Sequence, residues 1–282
     1  MSSSSFSLLR LPSLALVEII QRIELKSLCK LSFCSKRMHF IVKHYRYKST
    51  VSLKLSNLEV DIRIRLFHEK CYEDKVTFIV RDSPGKDSIG CKAFKIDENM
   101  GSFWNDVIQG TETHIEYLCD LFAAKVEEVD VYHNSTWMLN MIEERQGGYS
   151  YDAEVWNRYR HGHSDEQLRH ILLDLNPRSL HINYKASDQF RIENFHKKYN
   201  NLTILEATWM TVDNLYQLNC AEFKIYNRKF SSAEINRYFK HVLNGGAPRL
   251  RKFLNGNVSR LRYGFLDETM LNETSIKSYV RG

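Results

Sequence analysis

Apolar residues in the first 46 positions recur at helical spacing. Leu16, Ile19, Ile20 and Ile23 fall at i, i+3, i+4 and i+7, while Leu14 and Val17 occupy a second face. The spacing predicts a helix opening at Pro12, where a fixed φ and a missing N–H are tolerated. Ser27 is placed to cap a second short helix carrying Leu28 and Leu31, and Ser35 a third carrying Met38, Ile41 and Val42. Three short helices in about 40 residues leave much of their apolar area uncovered. A partner surface is therefore expected over the remainder.

Between residues 50 and 97 the period changes to two. Val51, Leu53 and Leu55 alternate with polar neighbours, as do Val60, Ile62, Ile64 and Leu66, then Val76, Phe78 and Val80, with a weaker run from Ile89 to Ile96. The pattern predicts antiparallel strands, with a turn at residues 83–87 and a first reversal at Asn57. Lys54, Arg63, Arg65 and Lys92 would lie on a solvated face.

From residue 101 to 256 helix and strand alternate. Thr113 and Glu116 make a capping-box pattern ahead of Ile115, Leu118, Cys119 and Phe122; a strand follows from Val129 to Tyr132, then a helix through Trp137, Met138, Met141 and Ile142. Gly147 and Gly148 end that helix, and residues 147–163 read as a long loop. Ser164 with Gln167 caps a helix through Leu168, Ile171, Leu172 and Leu175, which Asn176 and Pro177 break before the strand Leu180 to Tyr184. Ile192, Phe195 and Tyr199 suggest another helix, Leu202 to Leu205 a strand, Thr211 a short helix, and Phe223 to Tyr226 a strand. Ser231 and Glu234 cap a helix through Ile235, Tyr238, Phe239 and Val242, and Leu250 to Leu254 is the last strand. Alternation of this kind implies parallel strands with right-handed crossovers. Strand starts near 129, 180, 202, 223 and 250 are too uneven for a regular solenoid, although the shorter steps suit leucine-rich repeat units. The expected fold class is α+β: an N-terminal three-helix segment, an antiparallel β segment, then an irregular leucine-rich-repeat-like α/β layer. A compact doubly wound sheet is the alternative.

The helical segment resembles an F-box, especially the divergent nematode kind. The resemblance rests on LRLPSLALVEIIQRIELKSLCKLSFCSKR (residues 9–37): Leu11-Pro12, the Ile- and Leu-rich helix, then Leu28, Leu31, Ser32, Ser35, Lys36 and Arg37. Ser13-Leu14 stands where the family commonly has an acidic residue, and Met38 where it has an aromatic one. Residues 207–253 resemble the type 2 F-box-associated domain of nematode F-box proteins, through Trp209, Thr211, Asp213-Asn214-Leu215, Asn227, Glu234-Ile235-Asn236 and the run from Phe239 to Leu250. The domains expected are an F-box at 1–48 and a substrate-receptor region at 49–282, comprising 50–97, 101–256 and a tail at 257–282. The resemblance implies a non-catalytic substrate-recognition subunit of a Skp/cullin/F-box ubiquitin ligase. Its helices would bind a Skp-type adaptor, and its C-terminal region a protein substrate. Leu11, Pro12, Leu16, Ile19, Ile20, Leu28, Leu31 and Arg37 are the adaptor contacts implied, shared between the interface and the segment's own core. No cofactor is implied.

Charge sharpens this picture. The chain of 282 residues carries a formal +6, but residues 1–50 hold nine Lys and Arg against two Glu, so the excess lies wholly in the helical segment. A basic helical face suits an acidic protein partner without requiring nucleic acid. The Arg and Tyr mixture from Arg249 to Tyr263 is the best case for a nucleic-acid-binding alternative, and an adaptor-bound scaffold without a degraded substrate is another. Six cysteines without a CxxC pair favour reduced thiols. With no signal-peptide core and no spanning apolar run, the expected location is cytoplasm or nucleus, with no membrane partner. His161, His163 and His170 could approach a metal with Asp165 or Glu166, but their spacing is not that of a closed site. His114 and Cys119, five apart, do not share a helical face. Gly245-Gly246 follows a helix and therefore reads as a cap rather than a phosphate cradle.

Overall fold

In a computed structural model of the chain, which describes residues 8–46, 51–58, 61–68, 71–82, 92–96, 99–132, 135–156 and 164–256, Pro12 precedes the first helix rather than opening it. It is extended (φ −54°, ψ 146°), and its carbonyl accepts the Leu16 N–H at 3.0 Å. Helix α1 spans Ser13–Arg22. Helix α2 spans Leu25–Cys34, three residues earlier than a Ser27 cap would allow; Ser27 instead donates to the Glu24 carboxylate at 2.9 Å. Ser35 does cap α3 (Lys36–Tyr45), accepting the Met38 N–H at 3.1 Å. Leu16, Ile20, Leu28, Cys29, Met38, Ile41 and Val42 form the buried side of these helices. Each fully buried aliphatic such as Ile20 contributes about 1.5–3 kcal/mol.

Contacts group the chain into two units, Met1–Val126 and Glu127–Gly282. In the first, β1 (Val51–Leu58), β2 (Asp61–His68) and β3 (Cys71–Asp82) are antiparallel, and the alternating residues from Val51 to Leu55, Ile62 to Leu66 and Val76 to Val80 are buried as expected. Asn57 is not the reversal: it lies inside β1, opposite Ile62. The polar face is less open than expected, since Ser52, Ser56 and Asp61 are buried, and Asp61 accepts two bonds from Arg81, at 2.5 and 2.9 Å. The expected turn at 83–87 and the Val60 position lie outside the described residues.

The antiparallel expectation fails at one junction. Strand β4 (Lys92–Ile96) pairs antiparallel with β5 (Asn99–Trp104), but β5 inserts beside β3 in parallel, giving the order β1-β2-β3-β5-β4. β5 carries Gly101 and Ser102 and no β-branched residue, so it leaves little strand signal. Helix α4 (Val107–Phe122) lies against α3, β2, β3 and β5. It starts before the Thr113 pattern: Asp106 caps it by accepting the Ile108 and Gln109 N–H groups, and Thr113 bonds back to the Gln109 carbonyl.

The second unit is a parallel sheet built in sequence order: β6 (Lys125–Tyr132), β7 (Asp152–Trp156), β8 (Ser179–Asn183), β9 (Lys198–Ile204), β10 (Asn219–Tyr226) and β11 (Lys252–Gly256). Helices α5 (Trp137–Gln146), α6 (Asp165–Leu173), α7 (Val212–Gln217) and α8 (Ser232–Leu243) punctuate it. The capping boxes at Ser164/Gln167 and Ser231/Glu234 form, and Gly147 ends α5 at φ 76°. Thr211 with Asn214 makes a third box on α7.

Two expectations are corrected. The stretch 147–163 is not a continuous loop, because β7 lies within it. Its two buried residues, Ala153 and Val155, sit among Asp152 and Glu154, too short a run to register. No helix forms at Ile192–Tyr199. Asn194 adopts φ 57°, Phe190 and Phe195 pack around Trp209 at 5.3 and 6.1 Å, and Tyr199 belongs to β9. Adding β7 turns the long gap between strands into two equal steps of 27 residues, from 125 to 152 to 179.

Candidate docking site

The first unit fixes its helical module through α4. Tyr117 donates to the Ser32 hydroxyl at 2.8 Å, and Ser32 donates to the Cys29 carbonyl at 2.7 Å. Phe33 stacks on Tyr117 with centroids 4.7 Å apart and planes 9° apart. Asp120 accepts from Lys43 at 2.5 Å and faces His39 at 3.0 Å, and these two hydrogen bonds, Lys43 first, hold its carboxyl below the ordinary value of 3.8. The Arg46 guanidinium lies 5.9 Å from the Phe122 ring centre. Burial lowers its pKa, and Asp120 opposes that shift. The module is thus held on its α2 and α3 side by a mixture of aromatic packing and charge.

Apolar and basic side chains are among those this anchoring leaves open. Leu14 is 81% exposed and Phe40 56%, and Phe40 stacks on His44. Pro12, Arg22, Lys30, Lys36 and Arg37 are exposed as well. Ile23, Glu24, Ser27, Lys30 and Leu31 line an open depression of about 460 Å³. Among the described residues of the three helices, Leu14 and Phe40 are the most exposed large hydrophobic side chains.

The eight expected contact residues divide by burial. Leu16, Ile20 and Leu28 belong to the module's interior; Leu11, Ile19 and Leu31 are half-buried; Pro12 and Arg37 are exposed. The more exposed Leu14 and Phe40 were not among the expected contacts. Leu14 sits on the second face of the helical pattern and was legible there; Phe40 has no periodic signal.

The other candidate chemistry is dispersed. His161 and His163 lie outside the described residues, while His170 is held by Asp174 at 2.7 Å and Asn140 at 2.8 Å. Among the described residues no three His, Cys, Asp or Glu side chains gather as a metal site. His114 faces the Gly110 carbonyl and the Ser102 hydroxyl, at 2.8 and 3.3 Å, and burial lowers its pKa. Burial pushes the Cys29 and Cys220 thiols up to about 12, so they stay protonated and unreactive at neutral pH. Arg249 is part of the second unit's framework, donating to Tyr149 at 2.9 Å and Asn200 at 2.8 Å; Arg260, Arg262 and Tyr263 are outside the described residues. No described helix is long and apolar enough to cross a membrane.

Comparison with known families meets the two ends of this architecture. Residues 8–50 match the F-box domain, and residues 189–254 match the family described as F-box associated. The chain therefore carries an F-box domain followed by an F-box-associated domain, the pairing that suggests a substrate adaptor of F-box ubiquitin ligases. No curated protein and no solved structure matches the chain.

Proposed function

We propose that this chain is the substrate-recognition subunit of a Skp/cullin/F-box ubiquitin ligase, holding a Skp-type adaptor with its N-terminal helices and a protein substrate with its C-terminal region. The reading is carried by the order of the two family segments, 8–50 and then 189–254. The exposed Leu14 and Phe40 and the exposed Lys30, Lys36 and Arg37 of the first segment support it. Leu11, Pro12, Ile19, Leu31 and Arg37 make the contact, with Leu16, Ile20 and Leu28 shaping the helices behind them. Leu14 joins the contact surface.

Such a subunit contributes proximity. Fixing a substrate on the ligase makes ubiquitin transfer from the bound conjugating enzyme effectively intramolecular, so no catalytic group is required of this chain. The second unit acts as an irregular leucine-rich-repeat-like layer, a description supported by six parallel strands added one beside the next. Its place of action is the cytoplasm or nucleus.

The test is co-expression of the full chain with a Skp-type adaptor and purification through a tag on either one. Wild type co-purifies, and changing Leu11 and Pro12 together to Ala weakens recovery while leaving the yield of the chain unchanged. Failure of the wild type to retain the adaptor defeats the proposal.

A further inference from the structure

The sheet of the first unit has two unlike faces. Leu53, Leu55, Ile64, Leu66, Phe78 and Val80 are 0–2% exposed and form the side against which α4 packs, with the Phe78 ring 6.0 Å from His114 of that helix. The alternate residues project to the other side. There the register sets Lys54 opposite Arg65 and Ser56 opposite Arg63 across β1 and β2, then Thr77 opposite Arg65 and Ile79 opposite Arg63 across β2 and β3. Ser56 and Ile79 are 0% and 4% exposed, whereas the Arg63 side chain is 39% exposed and Arg65 and Thr77 are half-buried.

The two arginines of β2 are short of acceptors. Asp61 is the carboxylate that shares their face among the described residues, and its two oxygens take the fork of Arg81 at 2.5 and 2.9 Å. Arg63 comes no closer to it than 3.8 Å, beyond hydrogen-bond distance, and the Arg63 Nε is buried with no hydrogen-bond partner. Arg65 donates once, from Nη2 to the Ser56 hydroxyl at 3.3 Å. A guanidinium carries five N–H donors, so most of those on this pair are unused. Lys54 has a partner already and adds nothing to the argument. Guanidinium groups partly withdrawn from water without an acceptor cost stability, and an acceptor supplied by another molecule offsets that cost.

Spacing selects the acceptor. Side chains two apart on a strand stand about 7 Å from each other, so Arg63 and Arg65 match carboxylates at alternate positions of an extended chain. Arg81 with Asp61 shows the pairing each would make, a planar fork on two oxygens. A polynucleotide draws on a wider field of cations, and the positive excess of this chain lies in residues 1–50. We propose that the face of β1–β3 opposite α4 binds an acidic segment of a partner protein, extended along β2, with one carboxylate on Arg63 and the next but one on Arg65. The binding chemistry stands on these residues alone; its role as a substrate contact rests on the ligase reading above.

The experiment uses the full chain and a fluorescein-labelled peptide of alternating glutamate and glycine, with a matched peptide carrying glutamine in place of glutamate, followed by anisotropy. The glutamate peptide binds saturably and the glutamine peptide does not. Arg63→Gln and Arg65→Gln each weaken binding about tenfold, the size expected for losing one two-pronged charged contact, while their Tm stays at the wild-type value. Arg65→Lys keeps the charge but loses the fork, and weakens binding by a smaller factor. Residues 1–50 are basic as well, so a chain carrying Arg10→Gln and Arg22→Gln, both exposed in the helical segment, serves as the control and binds the peptide as wild type does. Equal binding of both peptides, no binding, Arg63 or Arg65 variants that bind as wild type, or an equal loss in the control overturns the inference. Tighter binding of a single-stranded oligonucleotide or a phosphoserine peptide of equal charge overturns it too. Adaptor binding measured on the same preparation separates the two proposals. Adaptor retained with no glutamate preference refutes the face alone; glutamate preference without adaptor refutes the ligase reading alone.

Discussion

Ser35 stands between α2 and α3, and its hydroxyl accepts the Met38 N–H. Ser35→Ala strands that donor and should cost about 1 kcal/mol, read as a lower urea midpoint with an unchanged slope. Ser27, the other serine expected to cap, bonds Glu24 from inside the helix. The difference lies in backbone that composition alone does not reveal: Ser35 is extended and Ser27 is already helical. Asp120 gives a pH prediction. Its folded pKa is depressed, so its contribution is present above the ordinary value of 3.8 and is lost as the pH falls through the lower folded value. The side chain is 52% exposed, which limits the effect to about 0.5 kcal/mol after solvent screening. Asp120→Asn should therefore lower stability slightly at pH 7 and match wild type in strong acid, measured by chemical unfolding at each pH. Tyr199 tests the opposite case. Its hydroxyl is buried with no hydrogen-bond partner among the described residues, so Tyr199→Phe should be neutral or stabilising by up to about 1 kcal/mol, seen as an unchanged or raised Tm.

At the scale of elements, α4 depends on a close approach. Gly110 lies under Trp104, and a Cβ there would come within 2.5 Å of the indole. Trp104 donates to Ser102, whose hydroxyl also faces His114 on α4, so displacing the ring disturbs a linked set of contacts. Gly110→Ala should lower Tm and shift the tryptophan emission, whereas an Ala at Gly147 would be strained by φ 76° with no steric neighbour within 4 Å. The same scale explains what was legible. Helices with a cap and an apolar stripe, such as α6 and α8, can be read from Ser164/Gln167 and Ser231/Glu234. β5 and β7 cannot, since five or six residues with few β-branched side chains carry no clear period. The Ile192, Phe195 and Tyr199 spacing imitated a helix because those residues are buried by separate neighbours, around Trp209 and within β9.

At the scale of the whole molecule, the helices that carry the proposed docking residues were more legible than the burial of each residue. Leu11 to Arg37 could be found by period and resemblance, but separating the buried Leu16, Ile20 and Leu28 from the accessible Pro12 and Arg37 required three helices and α4 in place. The ring stack of Tyr132, Trp156 and His181 was hidden for the same reason: these residues are far apart in sequence and meet only through strand register. The central claim concerns the N-terminal module, and one binding isotherm tests it most directly. Purified full-length chain titrated with a purified Skp-type adaptor should saturate at one adaptor per chain, and Leu14→Asp should weaken the affinity at least about tenfold, in keeping with a buried contact at an interface centre. A wild-type chain that is folded yet takes up no adaptor, or a Leu14→Asp chain that binds as tightly as wild type, would contradict the account.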